Sequence, residues 1–225
     1  MKVGYAVLYE DGELVISKNH SVLKRKIIID YGKFEDINIP WQNESSQIKK
    51  VQILDQVKSN YMNAWFEDCL NLTTLLNFKN LDVSDCTDFS FMFCNCKSLQ
   101  NLNGLENWNV SKGIDFSFMF YSCNSLQTLN ELQNWNVSKC KDFLYMFAYC
   151  ESLQEINSLE NWNISNGIDF SCMFAHCESL QKILLSNTLD ILTKEMFYNC
   201  NPKLKIHWKE HIYTYIDLLE YEKIY

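Results

Sequence analysis

The most constraining feature of this sequence is a repeat with a period of 27 residues. It is clearest in a column of methionines: Met92, Met119, Met146 and Met173. Apolar columns keep the same period: Cys69, Cys96, Cys123, Cys150 and Cys177; Leu72, Leu99, Leu126, Leu153 and Leu180; Leu75, Leu102, Leu129, Ile156 and Ile183; Trp108, Trp135 and Trp162; Phe89, Phe116, Phe143 and Phe170. A unit of this length cannot bury its own apolar face, whereas stacked copies form one continuous core. The repeat therefore predicts a solenoid.

Each repeat is predicted to contain a short helix followed by extended chain. The helix is Asp115–Cys123, because Asp115 can accept hydrogen bonds from first-turn amides and apolar residues follow at helical spacing. Asp88, Asp142 and Asp169 repeat this cap. Leu99–Val110 is predicted to be extended, with strand character around Leu102 and around Trp108, and the sequence leaves open which segment forms the main sheet. Neighbouring copies should pair in parallel at about 4.8 Å.

The repeat unit also resembles a known family. Gly104–Ser111 followed by Asp115–Leu126 is similar to the BspA-like leucine-rich repeats of bacterial surface and phage-associated proteins, of the DUF285 type. The last unit, Cys177–Cys200, is shorter and resembles the Treponema-type version. The resemblance implies an α/β repeat fold, a right-handed leucine-rich-repeat solenoid of about five to six units with a parallel sheet and short helices. It further implies binding to other proteins and offers no catalytic residue.

The N-terminal segment predicts a β-rich cap. Val3–Tyr9 and Leu14–Ile16 are apolar runs around an Asp-Gly turn, which is a hairpin signal. Ile27–Ile29 and Val51–Leu54 are further strand candidates. We expect residues 1–58 to cover the open edge of the sheet, the alternative being a separate recognition module.

The C-terminal segment predicts a capping helix. Ile212, Tyr215, Ile216 and Leu219 would lie on one helical face and close the far end of the core. The predicted domains are thus an N-terminal cap over 1–58, the solenoid over 59–206 and a capping helix over 207–225.

Charge and hydropathy restrict the partners. A net charge of −8 disfavours nucleic acid and anionic membranes, since both would repel the chain. No stretch reaches the roughly 20 apolar residues that span a bilayer, and the first residues lack the apolar run of a secretory signal. These features predict a cytoplasmic protein, with a mature exported form as the open alternative. The sequence leaves the oligomeric state open, and a monomer is favoured.

The cysteines predict a core rather than a reactive site. Six of the ten form one column: Cys69, Cys96, Cys123, Cys150, Cys177 and Cys200. Their simplest role is a ladder of buried, reduced thiols. Two pairs have spacings that suit a metal site: Cys94 with Cys96, and His207 with His211, which would lie one helical turn apart. The first pair is disfavoured because Cys96 belongs to the core ladder, and the second because no cysteine or acid at ligand spacing completes the set. No metal or cofactor is predicted.

No motif indicates catalysis. The sequence has no glycine-rich phosphate loop, no nucleophile elbow and no zinc-protease motif. The four aspartates of the cap column are assigned to their helices rather than to a carboxylate site. The chain is therefore predicted not to be an enzyme.

Function is predicted to reside where the repeats differ, because core columns are fixed by packing. The candidate binding residues are Asn95, Tyr121, Tyr149 and His176 on the helix side, and Asn109, Asn136 and Asn163 on the extended side. The asparagines are expected to hydrogen-bond from one turn to the next. The leading hypothesis is a non-enzymatic protein-binding scaffold. Its alternatives are a phage- or mobile-element-encoded inhibitor of a host defence protein, a bacterial surface or adhesion module, and a divergent enzyme.

Overall fold

The repeats form a parallel solenoid of about six turns, and each turn is called a coil below. The computed structural model describes residues 2–20, 25–35, 37–189, 192–220 and 223–224. Its strands are β1 Lys2–Tyr9, β2 Glu13–Ser17, β3 Ile27–Glu35, β4 Lys50–Ile53, β5 Val57–Lys58, β6 Thr74–Leu76, β7 Leu81–Asp82, β8 Glu155–Ile156, β9 Lys182–Leu184, β10 Leu192–Thr193, β11 Lys205–Trp208, β12 His211–Thr214 and β13 Lys223–Ile224. Its helices are α1 Tyr215–Glu220 and the 3₁₀ helices Gln42–Gln47, Phe78–Asn80, Leu105–Asn107, Asn130–Leu132 and Lys194–Phe197. The predicted solenoid with parallel sheets and few short helices is confirmed.

The N-terminal strands extend the sheet of the first coils. β1 and β2 form the predicted antiparallel hairpin, with Leu8 opposite Leu14. The turn requires Gly12, because its φ is +81° and an added Cβ would lie 2.7 Å from the carbonyl oxygen of Gln47. β3 pairs with β1, and β2 pairs in parallel with β4, which in turn pairs in parallel with β6. The sheet order β3-β1-β2-β4-β6 therefore joins the predicted cap to the repeats, while the boundary at residue 58 stays a prediction.

The helix predicted over Asp115–Cys123 is wrong, because this segment is a run of tight turns. The amides of Phe116, Phe118 and Phe120 donate to carbonyl oxygens of the next coil at 2.9 to 3.0 Å. The amides of Met119 and Tyr121, which alternate with these, donate to the carbonyl oxygen of the residue three positions back. An α-helix would use nearly all of these amides internally and leave none to join the coils. The Asp115 carboxylate still begins the segment, where Oδ1 accepts the amide of Ser117 at 2.8 Å.

The core consists of the apolar columns stacked in register. Five phenylalanine rings follow Phe66 at centroid distances of 5.4 to 5.6 Å: Phe93, Phe120, Phe147, Phe174 and Phe197. The tryptophan column is also buried, and the indole N–H of Trp108 donates to the carbonyl oxygen of Phe78 at 2.9 Å. Each coil thus contributes one ring to each of these buried stacks.

The cysteine column is a buried ladder of free thiols, as predicted. Each thiol from the second coil onward donates to the carbonyl oxygen of a phenylalanine in the coil before. The Sγ of Cys123, for example, lies 3.3 Å from the carbonyl oxygen of Phe93, and the Sγ of Cys150 lies 3.3 Å from that of Phe120. Burial raises the pKa of these thiols, to about 12 for Cys200. The column therefore acts as apolar packing with one weak hydrogen bond per coil.

The chain beyond the last coil is a hairpin followed by one short helix and the two-residue strand β13, so the helix predicted over 207–225 is wrong for most of its length. β11 continues the sheet of β8 and β9 in parallel, and β12 returns antiparallel. A strand is favoured here because it satisfies the open backbone edge of β9. Ile212, Ile216 and Leu219, which were assigned to the core, are exposed, whereas Leu218 of α1 is buried.

Candidate protein-binding surface

Two columns of the solenoid hold their residues in the left-handed backbone conformation. The first column has φ between 53° and 57° and comprises Ala64, Phe91, Phe118, Tyr145 and Cys172. The second has φ between 57° and 61° and comprises Asp68, Asn95, Ser122, Tyr149, His176 and Asn199. This conformation costs an ordinary residue roughly 1–2 kcal/mol. It is maintained by hydrogen bonds between coils, such as the one from the Phe118 amide to the Leu144 carbonyl oxygen at 2.9 Å.

The first column forms a stack of partly exposed rings. The rings of Phe91 and Phe118 are nearly parallel, with centroids 4.8 Å apart and planes 5° apart. Phe118 stacks in turn on Tyr145 at 5.0 Å. All three side chains are half-buried, so the rings support one another while their outer edges reach solvent.

A second row of rings lies beside the first and contains three of the residues predicted from sequence. Tyr121 contacts Phe118 of its own coil at 5.5 Å and Tyr149 of the next coil at 5.3 Å. Tyr149 stacks on His176 at 4.2 Å, and His176 meets the ring of Tyr198 at 5.6 Å. The two rows together are called the aromatic face below: Phe91, Phe118, Tyr121, Tyr145, Tyr149, His176 and Tyr198.

The asparagines predicted as binding residues behave differently from the rings. Asn95 lies in the Tyr149 column, where its Nδ2 donates to Oδ1 of Asp68 at 2.8 Å. Asn109, Asn136 and Asn163 are exposed, and each Oδ1 accepts the amide of the serine two residues later, at 3.1 to 3.2 Å. The expectation that they bond from one turn to the next is therefore wrong. Each asparagine side chain instead forms a local Asx turn, in which its oxygen is bonded within the same coil rather than to the next one.

The phenols of Tyr121 and Tyr145 stay protonated at neutral pH. The pKa of Tyr121 is raised by burial and then by Tyr149 and Cys94, and the pKa of Tyr145 is raised chiefly by its hydrogen bond with Cys172. Each neutral hydroxyl is both a donor and an acceptor. The face thus offers apolar area and hydrogen-bonding groups, the combination found in protein interfaces.

Sequence reasoning missed four members of this face: Phe91, Phe118, Tyr145 and Tyr198. The sequence did contain a signal for Phe91, Phe118 and Tyr145, which form one aromatic column. Phe118 falls outside the apolar spacing of the predicted helix, so this column is not needed for the core. An aromatic column that the core does not use indicates a surface. Tyr198 lies in the shortened last coil and is 57% exposed.

The helical pairing assumed for the two candidate metal-binding histidines does not form. His207 lies on β11 and His211 on β12, opposite Ile212 and Trp208, so the helical spacing assumed for them does not exist. Within the described ranges, no group of three or more histidine, cysteine, aspartate or glutamate side chains could hold a metal ion. No helix of the described chain has the length and apolar character needed to cross a membrane.

Comparisons with known proteins identify the repeats. The family described as "Mycoplasma protein of unknown function, DUF285" matches residues 60–188, more than half of the 225 residues. No curated protein matches the chain significantly. Among solved structures, a leucine rich cell surface protein from Faecalibacterium prausnitzii A2-165 is similar, with 12% identity, a TM-score of 0.30 and coverage of 93% of this chain and 51% of that chain. This chain spans about half the length of that protein.

Proposed function

This chain belongs to the DUF285 family of repeat proteins, and from that premise and the aromatic face we propose that it is a non-enzymatic scaffold that binds another protein. The observation that carries the proposal is the row of touching rings from Tyr121 through Tyr149 and His176 to Tyr198. Partly exposed tyrosines held rigidly by their neighbours lose little conformational entropy on binding, which is why they serve as anchors in interfaces.

The backbone of the face supports the same proposal. Tyr149 adopts a conformation that is unfavourable for its residue type, whereas asparagine fills the same column at Asn95 and Asn199. Strain of this kind concentrates at functional sites. A ring at such a position projects from a backbone fixed on both sides by hydrogen bonds to other coils.

The test compares two double variants in a pull-down from a lysate of the organism that encodes the chain. Tyr121→Ala with Tyr149→Ala is expected to weaken binding of the captured protein at least about tenfold, because buried tyrosine anchors carry a few kcal/mol. Asn109→Ala with Asn136→Ala is the matched control, since it removes two exposed side chains from the other candidate row. Circular dichroism checks that both variants fold, and titration with the captured protein gives the affinities.

Two outcomes contradict the proposal. Equal affinity of wild type and the tyrosine variant would exclude the aromatic face as the interface. A loss in the asparagine variant alone would move the interface to the Asn109 row. The identity of the captured protein then separates the more specific forms of this role, which are an intracellular phage- or mobile-element-encoded inhibitor of a defence protein and a surface adhesion module. Cell fractionation tests the predicted cytoplasmic location.

A further inference from the structure

The stack of rings in the first column ends at Phe91. One face of this ring stacks on Phe118 at 4.8 Å. On its other side, the coil before carries Ala64 at the same position of the column. The methyl group of Ala64 is smaller than a phenyl ring. The half-buried Phe91 ring therefore has one face stacked on Phe118, while no ring of the same column stacks on its other face.

The repeat pattern places one carboxylate, that of Glu67, beside this uncovered face. The next residue is Asp68, whose Oδ1 accepts a hydrogen bond from Nδ2 of Asn95 at 2.8 Å. Phe118 and Tyr121 of one coil are in contact at 5.5 Å, and Ala64 and Glu67 hold the equivalent positions two coils earlier. The repeat therefore places the Glu67 side chain next to Ala64, where Tyr121 stands next to Phe118. Glu67 is half-buried and Asp68 is exposed. Burial raises the pKa of the neighbouring Cys94 thiol to about 12, and the charges of Glu67 and Asp68 add to the rise.

Charge is distributed unevenly around the solenoid. Glu151 and Glu178 follow Tyr149 and His176 by two residues, are exposed, and add negative charge along the second row of rings, with Lys97 as the basic residue of their column. Two lysines in other columns, Lys139 and Lys141, lie with the exposed Ile114 and Ile168 on a different part of the solenoid. The aromatic face is thus acidic at its margins, and it complements a basic partner.

A guanidinium group fits the end of this face better than other cations. It is planar, so it stacks on an uncovered aromatic ring, and its N–H fork pairs with carboxylates at the same time. An ammonium group makes the charge interaction without the stacking. Resting on the proposed function, we infer that the protein partner inserts an arginine between Phe91 and Ala64 and pairs it with Glu67 and Asp68.

The test uses a fluorescein-labelled hexaarginine peptide as the probe, followed by fluorescence anisotropy. Hexaarginine is expected to bind more tightly than hexalysine, and hexaglutamate is expected not to bind. Ala64→Phe would add one more ring to the column. This ring would stack on Phe91 as Phe91 stacks on Phe118, and it would cover the open face of Phe91. This variant should keep the fold and weaken hexaarginine binding by about threefold to tenfold.

Matched substitutions separate stacking from charge. Phe91→Leu keeps apolar volume and removes the ring, so it should weaken hexaarginine but not hexalysine. Glu67→Gln with Asp68→Asn should weaken both peptides, whereas Glu160→Gln, an exposed carboxylate in a different part of the coil, should change neither. Unchanged hexaarginine affinity in Ala64→Phe and Phe91→Leu would overturn the inference, because binding would then be due to net charge alone.

A second copy of the chain is the other occupant that the test addresses. If sedimentation shows a dimer that Ala64→Phe dissociates, the cation belongs to this chain and the inference of a basic partner is overturned. Failure of the inference is distinguishable from failure of the proposed function. If only the inference fails, binding of the captured protein would still depend on Tyr121 and Tyr149. If the proposed function fails, binding of the captured protein would not change when these tyrosines are substituted.

Discussion

The indole N–H of Trp135 donates a hydrogen bond to the carbonyl oxygen of Leu105, 2.9 Å away in the coil before. Trp162 makes the same bond to Leu132 at 2.9 Å. Because the ring of Trp135 is also stacked on Trp108 at 6.3 Å, each tryptophan links adjacent coils through both its polar and its apolar part. The tryptophan column therefore provides an equivalent set of contacts between each pair of adjacent coils.

Trp135→Ala is expected to destabilise the solenoid by about 3–5 kcal/mol, because it leaves a cavity between two other tryptophans. Stability depends on contacts between neighbouring coils, so loss of one central set of contacts should weaken the whole array. Urea unfolding followed by circular dichroism measures the change. Trp135→Phe is the control, since it retains most of the ring and leaves only the Leu105 carbonyl unpaired, at about 1–3 kcal/mol. An unchanged midpoint for Trp135→Ala would contradict the buried position.

The period of 27 residues made the solenoid and its core columns predictable from the sequence. Trp135, Cys123 and Leu129 recur in step, and residues that recur in step in a stacked repeat must pack on their own copies. The structure extends one column beyond the recognised repeats, to Val51 on β4 and Ile206 on β11. These two residues were not found because the distance to the next coil differs from 27 at both ends of the solenoid.

The turn segment could not be predicted because its apolar spacing suits a helix equally well. Phe116, Met119 and Phe120 are buried in both conformations. What decides between them is the destination of the backbone amides, and this depends on the neighbouring coil rather than on the local sequence. The same error concealed the aromatic face, because a helix would have placed Phe118 and Tyr145 on a surface without their ring stack.

The thiols are expected to be reduced and slow to react. Thiol counting on denatured protein prepared without reductant should find most of the ten cysteines free. In the native protein, Ellman's reagent should modify Cys172 first, since it is only partly buried while burial protects the others and raises the pKa of the column thiols. Cys172→Ser should remove that first phase. A protein in which several disulfides had formed would contradict both the core ladder and the predicted cytoplasmic location.

An ion network on successive coils predicts a pH dependence. The Nζ of Lys112 lies 2.5 Å from Oδ1 of Asp85, and the Nζ of Lys58 lies 2.6 Å from Oδ2. These lysines lower the pKa of Asp85 from 3.8 to about 2. The native state therefore binds fewer protons than the unfolded state between these values, so this stabilisation is complete above pH 3.8 and is lost as the pH falls through about 2.

Asp85→Asn is accordingly expected to destabilise the protein at neutral pH and to have little effect near pH 2. Urea midpoints at several pH values measure this difference. Because the three side chains are exposed, high salt should reduce the effect at neutral pH. A destabilisation that is the same at all pH values and salt concentrations would assign the role of Asp85 to packing instead of charge.

The left-handed columns predict a difference between two truncations of the same ring. Tyr149→Ala and Tyr149→Asn both remove the contacts with Tyr121 and His176, so both should lower stability, by roughly 0.5–1.5 kcal/mol for each ring pair. Asparagine tolerates the φ of 61° at this position better than alanine does, and Asn95 and Asn199 adopt the same conformation in the same column. Tyr149→Asn should therefore be more stable than Tyr149→Ala by about 0.5–1 kcal/mol, which corresponds to the several-fold preference of asparagine for this region. Urea unfolding of both variants measures the difference, and Tyr121, whose φ is not positive, provides the matched control with the same two substitutions. An advantage of asparagine at both positions, or at neither, would show that backbone strain at Tyr149 does not contribute to stability.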